Sequence, residues 1–564
     1  MKFSQMPYER IDMDTFHQDF HRLLEDFKAA SSFATQNEVM EAVNSLRSKM
    51  ESSREIAMIR HTIDTNDEFY KNEQDYLDET QPLYQGLVTE YYQAMLDSPH
   101  RQELEEKWGP QLFRTAENTL RTFSPEVVSD LQQENKLSSE YTKLTASAKI
   151  MFEGEERTLP QLIPFMQSPD RDLRKRAADA YFGFYEENGQ ELDRIYDDLV
   201  KTRTRIAKKL GFTNFVELAY ARLNRTDYDA TKVKAFRQQV EAHIVPAAKR
   251  LRDRQAARIG VERLSYFDRP FEFLNGNPKP HGSSEWIVDN GKRMYQELSA
   301  ETHEFFSYML DNELMDLVSK PGKAGGGYCT YIGAYEAPFI FSNFNGTEGD
   351  IGVLTHEAGH AFQAYSSRKI PVPEYMFPTF DAAEIHSMSM EFFTWPWMNL
   401  FFEEETDKYQ FMHLASAVTF IPYGVSVDEF QHEVYEHPEW TPRERKAAWR
   451  EIERKYLGID DHGGNAYLEQ GGYWQHQLHI YTSPFYYIDY TLAQLCALQF
   501  WAKAQADHAS AWNDYVNLCN MGGSQSFNEL VAAAGLRSPL EDGAIASTLE
   551  PVNRWLEAVD DRKF

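Results

Sequence analysis

The chain is poor in cysteine, and no part of it is a long apolar run. Only three cysteines, Cys329, Cys496 and Cys519, occur among the 564 residues, and they lie far apart without the spacing of a metal cluster. We therefore expect free thiols and a reducing, cytoplasmic location rather than a disulfide framework. No stretch reaches the ~18 uncharged apolar residues of a transmembrane helix. The first residues also lack the apolar segment of a secretory leader, so we expect neither export nor a membrane anchor.

Basic residues are scarce relative to acidic ones. The 58 lysines and arginines stand against 88 aspartates and glutamates, which leaves a net charge of −30. Proteins that bind nucleic acid or anionic membranes concentrate positive charge on the binding face, so we expect neither partner here. Intrinsic disorder is excluded as well, because 42% of the residues are hydrophobic and 14% are aromatic, which is enough to fill large cores.

Most of the first 300 residues show the apolar periodicity of amphipathic helices. One example, "LDRIYDDLVKTRTRIAKKLG", stops at Gly211, a typical residue for a helix C-terminus. The alternating residues around Gly154 predict a short hairpin. The stretch "FDRPFEFLNGNPKPHGSSEW" has proline or glycine every few residues and predicts a long loop between two helical regions.

After Lys320 the sequence becomes glycine-rich and then β-branched and aromatic. We predict two short strands, near Gly327–Ile332 and Pro338–Asn343, closed by a turn at Asn345–Gly346. Helical patterns then resume to the end of the chain. The sequence therefore predicts a mainly α fold with a small β-sheet.

The stretch "LTHEAGHAFQ" carries two histidines four residues apart. On a helix this spacing places His356 and His360 on one face, where both imidazoles reach one small cation. Glu357 stands next to the first histidine, as in the zinc-peptidase motif, in which the glutamate is the general base and not a ligand. The pattern alone also fits two structural histidines on a surface helix, because a bare HExxH sequence occurs by chance.

A catalytic zinc ion needs a third protein ligand and one open position. The next candidate helix is "DAAEIHSMSMEFFTWPW", in which Glu384 and Glu391 share a face. We predict that Glu384 completes the site and that Glu391 hydrogen-bonds a ligand histidine. His386 competes for the ligand position, although it lies on a different face from Glu384. The expected cofactor is one Zn²⁺ per chain, bound by His356, His360 and Glu384.

Several motifs together resemble those of one zinc-peptidase family. They are "GKAGGGYC", "APFIFSNFNGT", "LTHEAGHAFQ", "AEIHSMSMEF" and "HIYTSPFYYIDY". In this order they resemble the thimet oligopeptidase and oligoendopeptidase F family, and best its compact bacterial oligoendopeptidase F-like members. The resemblance implies two helical lobes that enclose a deep substrate channel, with the small β-sheet near the active site. Residues 1–200 would then be an N-terminal helical region in the channel wall, and residues 201–564 the zinc peptidase catalytic region.

The same resemblance implies that a histidine and tyrosines in "YWQHQLHIYTSPFYYIDYTLAQ" stabilise the oxyanion. His476 and His479 are both candidates for the histidine, and we favour His479, with His476 as a substrate contact. Tyr486 and Tyr490 would lie one turn apart if a helix begins at Pro484. Tyrosines at helical spacing also fit an aromatic core helix.

The resemblance also assigns a substrate-binding role to the glycine-rich "GKAGGGY", as a mobile loop that closes over the peptide. Gly325, Gly326 and Gly327 lack a Cβ and can adopt positive φ, and Tyr328 follows them. A plain hairpin loop is the alternative. The strand "EAPFIFSNF", which contains Phe339, would present its edge to an extended peptide.

These predictions combine into one expected activity. We expect hydrolysis of internal bonds in short oligopeptides by a zinc-activated water, with Glu357 as general base. A zinc carboxypeptidase and a non-catalytic peptide-binding protein are the alternatives. Internal cleavage is favoured over terminal cleavage because the sequence does not place a charged group that would recognise a chain terminus.

Overall fold

The computed structural model describes all 564 residues of the chain, and its architecture is mainly helical. The first twelve α-helices are α1 (Met13–Ala29), α2 (Phe33–Ile63), α3 (Glu68–Leu96), α4 (Arg101–Trp108), α5 (Pro110–Leu120), α6 (Val128–Ala146), α7 (Leu159–Met166), α8 (Arg171–Glu187), α9 (Gly189–Lys209), α10 (Phe215–Arg222), α11 (Ala230–Gln239) and α12 (Val245–Arg258). The remaining helices are α13 (Ser284–Leu298), α14 (Ala300–Asp311), α15 (Gly349–Ser367), α16 (Phe380–Phe393), α17 (Asn399–Phe402), α18 (Thr406–Glu436), α19 (Pro442–Leu457), α20 (Ala466–Glu469), α21 (Leu478–Thr482), α22 (Tyr487–Ala506), α23 (His508–Met521), α24 (Phe527–Ala533) and α25 (Ala544–Ala558).

Two small sheets interrupt the helices. Their strands are β1 (Ile150–Phe152), β2 (Glu155–Arg157), β3 (Met315–Val318), β4 (Tyr328–Ile332) and β5 (Ala337–Phe344). β1 and β2 form the predicted hairpin, in which Gly154 has a positive φ of 82°. The second sheet has the order β3-β5-β4: β4 runs antiparallel to β5, and β3 runs parallel to it. β5 is therefore the central strand.

The connection between β4 and β5 differs from the prediction. The chain turns back at residues 333–336, where Glu336 adopts the left-handed conformation with a φ of 49°. The Asn345–Gly346 pair follows β5 instead and leads into α15. The backbone N–H groups of both residues donate to the carboxylate of Asp350, at 2.9 and 2.8 Å. The predicted turn is present, but it joins β5 to α15. The Asp350 carboxylate accepts the two backbone N–H groups and so holds the turn at the start of the helix.

The buried apolar residues form two separate cores. The smaller core lies among α1 to α5 and includes Phe20, Leu87 and Tyr91. The larger core fills the rest of the molecule and includes residues of α15, α16, α22 and β5. The predicted mainly α fold with a small β-sheet is thus confirmed, whereas the division near residue 200 stays a prediction. None of the helices combines the length and the apolar character needed to cross a membrane.

Helix α16 is the internal helix of the larger core. It packs against α15 on one side and α22 on the other, and Glu391 is the one residue between Ala382 and Phe393 that is not fully buried. Its apolar residues, such as Ile385 and Met390, explain why it lies inside. Any charged group on this helix must therefore find a partner on a neighbouring element.

Candidate active site

Helix α15 presents the two histidines of the HExxH sequence on one face. The ring centroids of His356 and His360 lie 5.1 Å apart, as their spacing of one helical turn requires. The opposite face carries Leu354 and Phe362, which are buried in the core. The helix is therefore fixed by its apolar side while both imidazoles face the interior of the site.

The close approach of α15 to α16 depends on Gly359. A Cβ atom at this position would lie 2.6 Å from the Cα atom of Ser387 on α16. Because Gly359 has none, the helices approach closely enough for Glu384 to reach both imidazoles. One oxygen of Glu384, Oε2, lies 3.1 Å from Nε2 of His356 and 3.3 Å from Nε2 of His360.

The Glu384 carboxylate is only 1% exposed, and side chains from α16 and from the segment before α22 hold it. The Ser387 hydroxyl donates to Oε2 at 2.8 Å, and the Tyr486 hydroxyl donates to Oε1. Burial alone would raise the pKa of Glu384, but the neighbouring imidazoles hold that pKa well below its usual range. Glu384 is therefore an ionised carboxylate at neutral pH.

The donor set of this group fits a zinc ion. His356, His360 and Glu384 each offer one ligand atom, and the three atoms lie within 4.8 Å of one another. Nδ1 of His356 lies 2.7 Å from Glu391 Oε1, which leaves Nε2 of the ring to face Glu384. Two imidazole nitrogens and one carboxylate oxygen form the ligand set of several zinc hydrolases, and a carboxylate behind one histidine is the usual support.

His386, the competing ligand candidate, does not join the group. Its side chain is fully buried beside Tyr515, and neither ring nitrogen has a hydrogen-bond partner. Burial lowers the pKa of His386 to about 4, so the ring is neutral. Glu384 is thus the residue of α16 that the structure brings to His356 and His360.

Glu357 lies on the same helical turn as the histidines and is 6% exposed. Its oxygen Oε2 has no hydrogen-bond partner, although it is buried. Burial raises the pKa of Glu357, while the neighbouring His356 and His360 oppose that rise. An unpaired buried carboxylate beside a potential cation site is the arrangement that a general base requires.

Helix α22 and the segment before it form the opposite side of the site. The rings of Tyr486 and Tyr490 are 4.9 Å apart, and the ring of Tyr490 lies 6.5 Å from that of His356. Nε2 of His479 is 3.1 Å from the Tyr490 hydroxyl. Burial, together with the Glu384 carboxylate, raises the pKa of both tyrosines well above its ordinary value. Both hydroxyls therefore keep their protons at neutral pH.

Comparisons with known proteins identify the family of this chain. The family model described as the peptidase M3 N-terminal domain matches residues 3–123, and the model described as peptidase family M3 matches residues 164–548. The chain belongs to peptidase family M3. No curated protein sequence gives a significant match.

The M3 chain is similar to several solved structures of peptidases. A structure titled Pz peptidase A with an inhibitor is 61% identical, covers both chains completely and superposes with a TM-score of 0.99. A candidate oligoendopeptidase F from Bacillus anthracis is 58% identical over 100% of this chain and 99% of its own, with a TM-score of 0.95. An oligoendopeptidase F from Enterococcus faecium, 15% identical with 98% and 99% coverage and a TM-score of 0.63, shares the fold. The M3 chain is therefore a peptidase with an oligoendopeptidase F-like structure.

The glycine-rich segment of the M3 chain lies directly beside Glu357. A Cβ atom at Gly327 would be 3.2 Å from Oε1 of Glu357, so the absence of a side chain there leaves room for that carboxylate. The Asn343 side chain donates to the Gly326 carbonyl at 2.8 Å. Gly326 has a φ of 86°, and Gly325 has open space around it. Gly327 therefore borders the site, while the substrate-binding role of the segment and its closing motion stay predictions.

Of three predicted substrate contacts, Phe339 is buried, whereas the roles of Tyr328 and His476 stay predictions. Phe339 on the central strand β5 is 1% exposed and packs on Phe3, with ring centroids 4.4 Å apart. Both edges of β5 are paired, so it cannot add a substrate strand; the free edges of the sheet belong to β3 and β4. Tyr328 at the start of β4 stacks on Phe341 at 4.7 Å. His476 forms a hydrogen bond with the carbonyl of Tyr473 and is not part of the group around Glu384.

The tyrosine helix also begins later than expected. α22 starts at Tyr487, and Pro484 belongs to the turn before it. In this turn Phe485 has a left-handed φ of 65°, which is strained for a residue with a side chain. Its N–H donates to Gln431 at 2.9 Å, and its carbonyl accepts from Arg225 at 2.6 Å. Arg225 also pairs with Asp489 at 2.7 Å and so fixes the turn to α22.

One supporting residue of the M3 site was absent from the sequence predictions. Nε2 of His413 on α18 lies 2.8 Å from Oε2 of Glu391, whose other oxygen meets His356. The indole N–H of Trp395 donates to Nδ1 of His413 at 2.9 Å. An indole nitrogen can only donate, so His413 carries its proton on Nε2 and donates it to Glu391. No local pattern marks His413, because it lies on a different helix from every residue that it supports.

Proposed function

We propose that this M3 peptidase is a zinc-dependent endopeptidase that hydrolyses internal bonds of short peptides. One observation supports the proposal above all others. The ligand atoms of His356, His360 and Glu384 converge within 4.8 Å, and the unpaired oxygen of Glu357 lies on the same helical turn as the histidines. A metal site and an adjacent general base are together what metal-assisted hydrolysis of an amide bond requires.

The proposed cofactor is one zinc ion per chain, held by Nε2 of each histidine and by the carboxylate of Glu384. Three protein ligands leave one position open, which is the pattern of a catalytic site; structural sites use four protein ligands. A bound zinc ion would supply a Lewis acid that polarises the scissile carbonyl and lowers the pKa of a water molecule to near ~7.

Glu357 is the proposed general base. Its buried oxygen Oε2 has no hydrogen bond that would have to break, so it can accept a proton as a water molecule attacks the peptide carbonyl. The same carboxyl group then delivers that proton to the leaving amine nitrogen. Burial raises the pKa of Glu357, which makes the carboxylate a stronger base than an exposed one.

His479, Tyr486 and Tyr490 have different proposed roles on the opposite side. Tyr486 donates to Glu384 and so orients a metal ligand. The Tyr490 hydroxyl, supported by His479, is the proposed donor to the carbonyl oxygen as that oxygen gains negative charge. A donor fixed in this way stabilises the transition state more than the ground state.

The proposed substrates are short peptides in extended conformation, and the proposed location is the cytoplasm. The free edge of β4, which starts at Tyr328 after Gly325, Gly326 and Gly327, offers unpaired backbone groups for such a peptide. The three cysteines are free thiols, which fits a reducing compartment.

A matched pair of peptides tests this function. The first is an internally quenched peptide of about ten residues with acetyl and amide ends, and the second is the same sequence with free ends. We expect cleavage of both at the same internal bond, loss of cleavage after dialysis against a chelator, and recovery when zinc is added. Cleavage would be read by mass spectrometry.

The opposite results identify the alternatives. Stepwise removal of C-terminal residues from the free peptide alone would indicate a carboxypeptidase. Binding of both peptides without cleavage in the presence of zinc would indicate a peptide-binding protein. Cleavage that is unaffected by chelation would contradict the proposed metal dependence.

A further inference from the structure

A chain of hydrogen bonds reaches the Tyr490 hydroxyl from outside the site. The hydroxyl of Tyr423 on α18 donates to Oε1 of Gln477 at 2.8 Å. Nε2 of Gln477 lies 2.7 Å from Nδ1 of His479, and Nε2 of His479 lies 3.1 Å from the Tyr490 hydroxyl. Three elements supply these groups: α18, the segment around α21, and α22.

The chemistry of each group fixes the direction of this chain. The amide nitrogen of Gln477 can only donate, so Nδ1 of His479 accepts and carries no proton. A neutral imidazole then carries its single proton on Nε2, and that proton points at the oxygen of Tyr490. Burial lowers the pKa of His479 to about 4, so the ring is neutral at physiological pH.

A tyrosine oxygen that already accepts a hydrogen bond directs its own proton elsewhere. The nearest rings on the site side of Tyr490 belong to Tyr486, at 4.9 Å, and His356, at 6.5 Å. Tyr486 gives its proton to Glu384. The proton of Tyr490 is thus directed to the site side of its ring, where the Tyr486 oxygen or a substrate oxygen can accept it.

If the hydrogen bonds through His479 ran in the opposite direction, Tyr490 could no longer donate toward the site. If an acceptor faced Nδ1 of His479, the ring would carry its proton there, and Nε2 would become a lone-pair acceptor. The Tyr490 proton would then be used in a hydrogen bond to His479. The side chain of residue 477 therefore decides whether Tyr490 donates toward the site or away from it.

We propose that Gln477, held by Tyr423, is a positioning residue that makes Tyr490 a hydrogen-bond donor to the substrate carbonyl oxygen. This inference rests on the proposed function, since it requires that Tyr490 donates to a substrate carbonyl oxygen during peptide hydrolysis. Gln477 hydrogen-bonds His479, which in turn hydrogen-bonds Tyr490, so it acts through these two residues. Its effect concerns the transition state, where the carbonyl oxygen is negative, and it should therefore change kcat more than KM.

The decisive variant is Gln477→Glu, which keeps the size and shape of the side chain. A carboxylate still accepts from Tyr423, but it also accepts from His479 Nδ1 and reverses the rest of the chain. At pH 8.5, where the imidazole is neutral, we expect kcat to fall about 10- to 100-fold. KM should stay within about threefold of the wild-type value, because ground-state binding does not depend on this proton.

Two further variants distinguish the direction of the hydrogen-bond chain from the packing of the side chain at position 477. Gln477→Met removes both hydrogen bonds but imposes no direction, so its kcat should lie between those of wild type and Gln477→Glu. Tyr490→Phe combined with Gln477→Glu should be no slower than Tyr490→Phe alone, because the reversed chain acts only through that hydroxyl. Thermal unfolding of each variant provides the control for folding.

Three results would overturn the proposal. They are a Gln477→Glu enzyme within twofold of wild-type kcat at pH 8.5, a Gln477→Met enzyme as slow as Gln477→Glu, and fully additive losses in the double variant. The wild-type enzyme in the same series tests the proposed function separately. Active wild type with any of these results refutes only the role of Gln477, whereas inactive wild type with bound zinc refutes both.

Discussion

The contact at Gly359 gives the most specific structural prediction. An added Cβ would lie 2.6 Å from Cα of Ser387 and 2.7 Å from the His386 carbonyl oxygen, whereas ordinary van der Waals contact begins at 3.4 Å. The Gly359→Ala variant must therefore move α15 and α16 apart by at least 0.4 Å, which brings the contact to 3.0 Å, and by 0.8 Å to restore ordinary contact at 3.4 Å. Both obstructing atoms belong to the backbone, so a side-chain rotation cannot relieve the clash.

The separation should weaken both the fold and the metal site. Overpacking of a well-packed core costs about 1–3 kcal/mol of unfolding free energy. The same movement carries Glu384 away from His356 and His360, which it now meets at 3.1 and 3.3 Å. We expect zinc affinity to fall about 10- to 100-fold, as happens when the support of a metal ligand is disturbed.

A matched control lies on the same helix. A Cβ at Gly352 meets no atom within 4 Å, so Gly352→Ala should keep the wild-type zinc affinity and gain up to ~1 kcal/mol from better helix propensity. Urea unfolding and competition with a zinc chelator measure the two quantities. The reasoning is refuted if Gly359→Ala is as stable and binds zinc as tightly as Gly352→Ala.

Other predictions concern the supports of the site and the metal itself. Trp395→Phe removes the donor that fixes the His413 tautomer, so we expect about tenfold weaker zinc binding with little loss of stability; unchanged affinity would contradict this. Arg225→Met leaves the carboxylate of Asp489 buried without a partner and should lower the free energy of unfolding in urea by about 3–5 kcal/mol. A loss below ~1 kcal/mol would indicate that the pair is solvated and would contradict this prediction. Zinc at 1,000 times its Kd should stabilise the metal-free enzyme by about 4.1 kcal/mol, and Glu384→Gln should remove most of that gain.

The parts of the site that a local pattern defines could be predicted from sequence. His356 and His360 share a face because any helix places residues four apart together. Glu384 could be singled out because it stands among apolar residues of a helix that had to be buried. Family M3 and its helical fold followed from motifs in a fixed order, and the comparisons confirm both.

Long-range contacts explain what could not be predicted. His413, Tyr423 and Arg225 contact residues that are distant in the sequence, and nothing in their own sequence neighbourhood indicates a partner. The substrate edge was placed on β5 because β3 was not predicted. β3 has only four residues, three of them not fully buried, and it pairs in parallel with a strand from later in the chain. Such a strand leaves no alternating or hairpin signal.

The central claim is that Glu357 acts as the general base beside a bound metal, and Glu357→Gln tests it most directly. The substitution keeps the shape of the side chain and removes its ability to take a proton. Zinc content and cleavage of an end-blocked peptide should be measured on the same preparation. We predict wild-type zinc content with hydrolysis reduced by at least about 10²–10⁴-fold. Hydrolysis within a few-fold of wild type, with zinc bound, would contradict the account.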